Sequence, residues 1–332
     1  MGAARVYAYG ATAGLLGDLL LGDPRRGHPV AVFGRAAGAV ERVLWKDHRG
    51  WGALHTAVCA GGAVALSALA ARAVRRSPVA SVLLTGAATW TVVGGTSLAR
   101  EARVIARALE AGEVDAARAR LPHLCGRDPH ALDADGIARA VVESVAENTS
   151  DAVVGALVWG AVAGVPGFAG FRAVNTLDAM VGHRSPRYRR YGWASARLDD
   201  LAGGPGARLT AALAVLTGGD PRGAVRAWRA DAAQHPSPNA GPVEAAFAGA
   251  LGVRLGGTLS YAGRVEHRPV LNSAGRAVQV ADIDRAVRLS RRVSWLALAT
   301  CTGVKLLCGR RGRAALRAVR RAKGRRVTGG AA

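Results

Sequence analysis

Residues 79–99 contain no charged side chain across 21 positions. As a helix this run would rise about 30 Å, the thickness of a bilayer's hydrocarbon core. Three other stretches, 53–74, 152–171 and 293–308, approach the same length and character, with His55 and Arg72 near the ends of the first and Lys305 placed to snorkel in the last. Residues 6–21 are a weaker candidate because they hold Asp18. These runs predict an all-α, multi-pass membrane protein in which polar helical loops between the spans form the active site. The competing reading is a soluble all-α globule whose Ala-rich helices are simply buried.

The rest of the composition agrees with segregated apolar and basic residues. Lys and Arg number 45 against 23 Asp and Glu, yet half the chain is apolar. Nine of the cations lie in 310–326 without an acidic residue, so part of the basicity is a tail. We expect one membrane-embedded domain over 1–309 and a disordered basic tail over 310–332. That tail directly follows the last span, so the positive-inside rule places the C-terminus in the cytoplasm, in touch with anionic lipid. Arg greatly outnumbers Lys beside abundant Ala and Gly, which reflects a GC-rich coding bias; no nucleic-acid partner is expected. Cys59, Cys125, Cys301 and Cys308 form no C-x-x-C pair, so neither a disulfide framework nor a zinc site is expected. Residues 5–22 have the look of a signal peptide but meet Gly22-Asp23-Pro24 rather than a small-residue cleavage site, and are kept in the mature chain.

Between the spans, 99–121 reads as a helical hairpin with Gly112 at its turn. Asp133 or Asp135 caps a helix running from Ile137 toward Asp151. No strand ladder is evident, and the four glycines of 249–257 are read as close helix packing.

Several polar clusters carry the chemistry. Glu143, Glu147 and Asp151 recur at i, i+4 and i+8, a stripe of like charge that calls for water, a cation or a cationic substrate; Mg²⁺ prefers such oxygen ligands. Asp23 and His28 follow the first apolar run. Asn175 and Asp178 share a helix face, and Asp199-Asp200 lie between Arg197 and Arg208, a set that binds a metal–phosphate group or forms ion pairs. His235 precedes the rigid Pro236-Ser-Pro238-Asn239 loop. No Ser-His-Asp order or zinc motif can be assembled, and acidic residues with arginines suit Mg²⁺-assisted handling of phosphates.

Five of these segments stand together in one order: Gly22-Asp23-Pro24 with His28-Pro29-Val30, Glu143-Ser-Val-Ala-Glu-Asn-Thr-Ser-Asp151, Ala173-Val-Asn-Thr-Leu-Asp-Ala-Met-Val-Gly182, Gly192-Trp-Ala-Ser-Ala-Arg-Leu-Asp-Asp200 and His235-Pro-Ser-Pro-Asn-Ala-Gly241. As a set they resemble the adenosylcobinamide-phosphate synthase family of cobalamin biosynthesis, over about residues 10–265. The resemblance implies a multi-pass cell-membrane ligase. Its reaction is ATP-dependent amide formation between a propionate of adenosylcobyric acid and (R)-1-amino-2-propanol O-phosphate or a related amino-alcohol phosphate. It implies Mg²⁺ as cofactor, ATP as co-substrate, and other late enzymes of the pathway as partners. Small departures lie at Ala152, Gly155-Ala156, Thr258 and 270–272.

On that reading, Asp23, Glu143, Glu147, Asp151, Asp199 and Asp200 arrange the metal, and His235, Glu147 and Asp178 are catalytic, His235 as the base for the incoming amine. His28, Asn148, Asn175, Arg184, Arg197, Arg208 and Asn239 bind substrate and phosphate. One site must gather motifs from both sides of 152–171, so that segment, interrupted by Gly164, Pro166, Gly167 and Gly170, is expected to be broken or re-entrant rather than a full crossing. A small permease or proton-coupled transporter using the same carboxylates is the competing function.

Overall fold

The first four helices are α1 (Ala3–Leu21), α2 (Pro29–Leu44), α3 (Arg49–Val74) and α4 (Pro78–Val92). Glycine sets how closely α1 and α4 approach: a Cβ on Gly10 would lie 2.5 Å from Thr85 Cβ, and one on Gly14 would lie 2.4 Å from Thr89 Cβ. The computed structural model describes the chain except residues 25–26, 127–128, 130–131, 184, 262–263 and 329–332.

The uncharged run 79–99 is not one straight helix. Val93 adopts an extended backbone after α4, and α5 (Gly95–Glu110) begins immediately after Gly94. Among the described residues, two stretches are long and apolar enough to cross a membrane, Arg49–Val74 and Pro78–Glu110, the second interrupted at this break. Much of α3 and α4 is apolar yet uncovered, with Leu66, Leu69, Val79 and Leu83 exposed. Helix α5 instead buries one face, Leu98, Ala102, Ile105 and Leu109, and turns through Gly112 (φ 76°) into α6 (Val114–Arg120), the expected hairpin.

Helix α7 (Ala134–Asn148) is capped by Asp133, whose carboxylate accepts from Gly136 N. A π-helical turn (Thr149–Val154) joins it to α8 (Gly155–Ala163); Gly164 then adopts φ 69° and α9 (Val165–Leu177) returns. The segment 152–171 is therefore broken at Gly164, as expected. Its two arms close because glycine admits aromatic rings: Phe168 lies over Gly160 and Phe171 over Gly155, where a Cβ would come within 2.2 Å of either ring. A second π-helical turn (Asp178–Gly182) succeeds α9.

The long α10 (Trp193–Thr217) contains Pro205 and crosses the hairpin where Gly206 meets Gly155. Beyond it come α11 (Pro221–Asp231) and α12 (Ala240–Leu251), every residue of which is buried.

The architecture is mostly helical, as expected, but the expectation of no strands is overturned after α12. Strands β1 (Leu255–Tyr261) and β2 (Arg264–Leu271) form an antiparallel hairpin with a bulge at Gly256/Gly257. Both glycines have positive φ, 79° and 88°, which ends any helix there. Of the four glycines read as helix packing, Gly249 does meet Gly223 backbone, Gly252 caps α12 with a left-handed turn, and the other two make the bulge. The last described element is α13 (Ala281–Thr328). The boundary expected at residue 309 falls inside this helix, because the Ala, Arg and Lys that fill 310–326 are strong helix formers.

Candidate active site

The α8–α9 hairpin returns the chain to where it started, which places the acidic motifs before and after it side by side. Asp151 comes from the first π-helical turn, Asp178 from the second, and Asp199 and Asp200 from the first turns of α10. Asn175 Nδ2 donates to Asp199 Oδ1 at 3.5 Å, and Arg172 Nη1 donates to Asn175 Oδ1 at 3.1 Å. At Gly182 a Cβ would lie 1.8 Å from Asp178 Oδ1, so only glycine leaves room for that carboxylate against the backbone.

These groups repel one another where water is scarce. Burial raises Asp151 well above the ordinary carboxylate range, and the charges of Glu147, Asp199 and Asp178 raise it further, against the opposing pull of Arg172. Burial and then Asp200 push Asp178 up to about 6. Burial and then Asp178 push Asp199 up to about 7, despite the Asn175 hydrogen bond. Arg172 is the cation of this group; burial lowers its pKa, while Asp151 and Asp23 support its charge. Through Arg172 the loop after α1 joins the site. The same region is fixed by Asp18, whose Oδ2 accepts from Thr96 N and Oγ1, both at 3.0 Å.

Of the expected residues, the structure thus brings together Asp23, Glu147, Asp151, Asn175, Asp178, Asp199 and Asp200. Glu143 departs from the set. It is buried and accepts from Gly256 N at 2.7 Å, so it anchors the β-hairpin. The stripe does not act as one unit: Glu143 faces inward, Glu147 near the end of α7 is exposed, and Asp151, which lies in the π-helical turn, is half-buried.

A neighbouring group lies along α10. Arg208 Nη1 donates to Asn239 Oδ1 at 2.7 Å, and Asn239 Nδ2 donates to the Asp200 carbonyl at 2.9 Å. Arg197, exposed, lies 3.8 Å from Asp200. His235 is seated in the interior: Ser237 N donates to its Nδ1 at 3.0 Å, and its Nε2 lies 3.7 Å from Glu244, both side chains being 3% exposed. His28 caps α2 through Val30 N, and Asn148 donates to the Ser144 carbonyl. Arg184 lies outside the described residues.

Arg172 was given no role by sequence reasoning. A signal was present, one cation a helical turn before Asn175 at the end of an apolar run. With Thr176, Ser67 and Thr91 it supplies the polar lining of a cavity of about 310 Å³ whose other walls are apolar groups of α2, α3, α4 and α9 such as Val30, Phe33, Ala88 and Val165.

No three His, Cys, Asp or Glu side chains among the described residues converge closely enough to hold a metal ion by themselves. A Mg²⁺ ion does not demand that, since it is commonly held by one or two carboxylates with substrate phosphates and water completing the shell. The crowded carboxylates around Asp151 fit such a cation.

Residues 11–290 match the CobD/Cbib protein family. The cobalamin biosynthesis protein CobD of Mycobacterium tuberculosis H37Rv is 56% identical over 291 residues, covering 86% of this chain and 92% of that one. The CobD proteins of Chromobacterium violaceum and Rhodobacter capsulatus are 44% and 42% identical, over 89% and 83% of this chain and 96% and 90% of their own. No solved structure matches. With the family match running through every segment that builds the acidic site and this identity covering most of the chain, the chain belongs to the CobD/Cbib protein family.

Proposed function

We propose that this protein is an adenosylcobinamide-phosphate synthase acting in cobalamin biosynthesis at the cell membrane. It joins the amine of (R)-1-amino-2-propanol O-phosphate, or a related amino-alcohol phosphate, to a propionate of adenosylcobyric acid, with ATP as co-substrate. The observation that supports this most directly is the convergence of Glu147, Asp151, Asp178 and Asp199 around Arg172 and Asn175. Such a site suits a reaction that assembles several phosphate and carboxylate groups.

The propionate oxygen attacks the γ-phosphorus of ATP, the bond to ADP breaks, and an acyl phosphate forms. The amine nitrogen then attacks the acyl carbon and expels phosphate, and the ammonium protons lost on the way go to a base and to water. Asp151 and Asp199 would hold Mg²⁺, with Glu147 beside Asp151 reaching it through water, and the ion would supply charge neutralisation at the phosphate oxygens. Arg172 compensates the acidic cluster and orients an incoming carboxylate or phosphate, with Arg197 and Arg208 on the α10 side. His235 is too deeply seated to meet a solvent-borne amine. Asp178, raised to about 6, is better placed to take its proton near neutral pH.

ATP requires the acidic end to face the cytoplasm. Ser290 near the start of α13 receives the Thr149 hydroxyl at this end, whereas Lys305 reaches Ala161 near the hairpin tip. The basic run beyond 310 therefore leaves from the opposite end, and the cytoplasmic C-terminus expected from its charge is not carried into this reading.

Membranes containing the protein are incubated with adenosylcobyric acid, aminopropanol phosphate, ATP and Mg²⁺, beside an Asp199→Asn control, and the amide is sought by mass spectrometry. Product from the wild type with ADP and phosphate released supports the proposal. AMP release overturns the acyl-phosphate route, and absence of product with either aminopropanol or ethanolamine phosphate overturns the function and favours transport.

A further inference from the structure

The helices that bring the carboxylates together at one end enclose a different kind of site at the other. Helix α1, the α3–α4 turn, the tip of the α8–α9 hairpin and α13 surround a groove of about 620 Å³. Along α1, Tyr7 lines the groove and Asp18 lies 11 positions on toward the acidic end, about 17 Å of helical rise.

The charged lining of this groove is Arg75, Arg76 and Lys305, and no acidic residue lines it among those described. Arg75 and Arg76 are exposed and have no acidic partner among the described residues. Lys305 is half-buried, donates to the Ala161 carbonyl and stands 5.6 Å from the centre of the Tyr7 ring, so its ammonium is held at the groove rather than extended into solvent. Beside Ser81 and Thr85, the walls carry the apolar Ala68, Ala71, Val74, Leu84 and Val165. On the same helices, Leu69, Val79, Leu83, Val304 and Leu307 are exposed, as is Val162 in the lining itself.

We propose that this groove binds one anionic phospholipid, its phosphate between Arg75, Arg76 and Lys305 and an acyl chain along Ala68, Ala71 and Leu84. The inference rests on the membrane reading above. Charge complementarity selects an anion, because three cations without a carboxylate leave a field that a zwitterionic headgroup offsets poorly. The walls select an amphiphile, since a free phosphate would gain nothing from them whereas an acyl chain is continuous with the exposed apolar faces of α3 and α4. The hairpin tip at the groove, Gly164 to Pro166, is the fixed end of the two arms that carry Asp151 and Asp178.

The test is native mass spectrometry of the detergent-purified full chain, offered equal amounts of dioleoyl-phosphatidylglycerol and dioleoyl-phosphatidylcholine. The wild type should retain phosphatidylglycerol in preference by about tenfold or more. The double variant Arg75→Gln/Arg76→Gln should lose the preference. Arg226→Gln/Arg229→Gln, which removes the same charge from an exposed basic face of α11, should keep it. Glycerol phosphate at millimolar concentration should not displace the lipid.

Equal retention of the two lipids, an unchanged preference in Arg75→Gln/Arg76→Gln, or full displacement by glycerol phosphate would each overturn the site. A chain that stays monodisperse without detergent would overturn the membrane reading and the lipid site together. A detergent-dependent chain without the preference would overturn the lipid site alone.

Discussion

Replacing Asp199 by Asn should stabilise the protein while it abolishes the proposed reaction, and the gain should depend on pH. In the folded chain the Asp199 carboxyl is raised from 3.8 to about 7. The folded state therefore holds a proton that the unfolded state has released, and the wild type loses stability as pH rises from about 4 to about 7. At ~1.4 kcal/mol per pH unit the full rise corresponds to about 4 kcal/mol. The side chain retains some solvent contact, which screens part of it, so we expect about 2–4 kcal/mol. Asn imitates the protonated carboxyl in shape and charge. Its advantage should be near zero at pH 4, grow through the interval and stay level above pH 7, where it amounts to about 3–6 °C in Tm for a chain of this size. Thermal unfolding in detergent micelles across pH 4 to 9 measures it. Added Mg²⁺ should raise the wild-type Tm at pH 8 and leave Asp199→Asn unmoved, because a ligand stabilises only the state that binds it. A Tm difference independent of pH, or an Asn variant less stable at pH 8, would refute the claim that the cluster is held together against its own charge.

Arg172→Met removes the cation that balances Asp151 and Asp23, and should lower kcat/KM by about a hundredfold or more, while Arg172→Lys restores charge but not the donor to Asn175 and recovers only part. Glu143→Gln and Glu147→Gln should separate anchoring from catalysis: the first costs about 1–2 kcal/mol of stability through its bond to Gly256 N and spares turnover, the second spares stability and loses product. Gly160→Ala places a methyl where Phe168 lies, 2.2 Å away, and should destabilise the chain by about 1–3 kcal/mol in denaturant unfolding. In a cysteine-free background, membrane-impermeant labelling should reach single cysteines at Ser237 and Trp193 from the same side of the membrane, and one at Ser77 from the other.

The motifs were legible because each is a short run whose chemistry is local. Carboxylates at helical spacing, a Pro-rich loop after His235 and Asn175 one turn before Asp178 mark polar groups in an apolar chain wherever they come to lie. The break in 152–171 was legible too, since Gly164 and Pro166 interrupt a helix whatever surrounds them. The β-hairpin was not, because two positive-φ glycines read the same as glycines that let helices touch, and only the pairing of Leu255 with Leu271 distinguishes them.

What the sequence by itself determined is the inventory: long apolar helices, a chain turned back at Gly164, and a set of acids and arginines too polar for such surroundings. Tertiary structure decided which of those acids share a site. Glu143 is taken up by the β-hairpin through Gly256 N, Glu147 and Asp151 stay with the acidic site, and the folded-back α8–α9 hairpin carries Asp178 and Arg172 to meet them. Helical periodicity cannot report either event, because mutual repulsion among carboxylates exists only once chain segments distant in sequence have been brought into one poorly hydrated place.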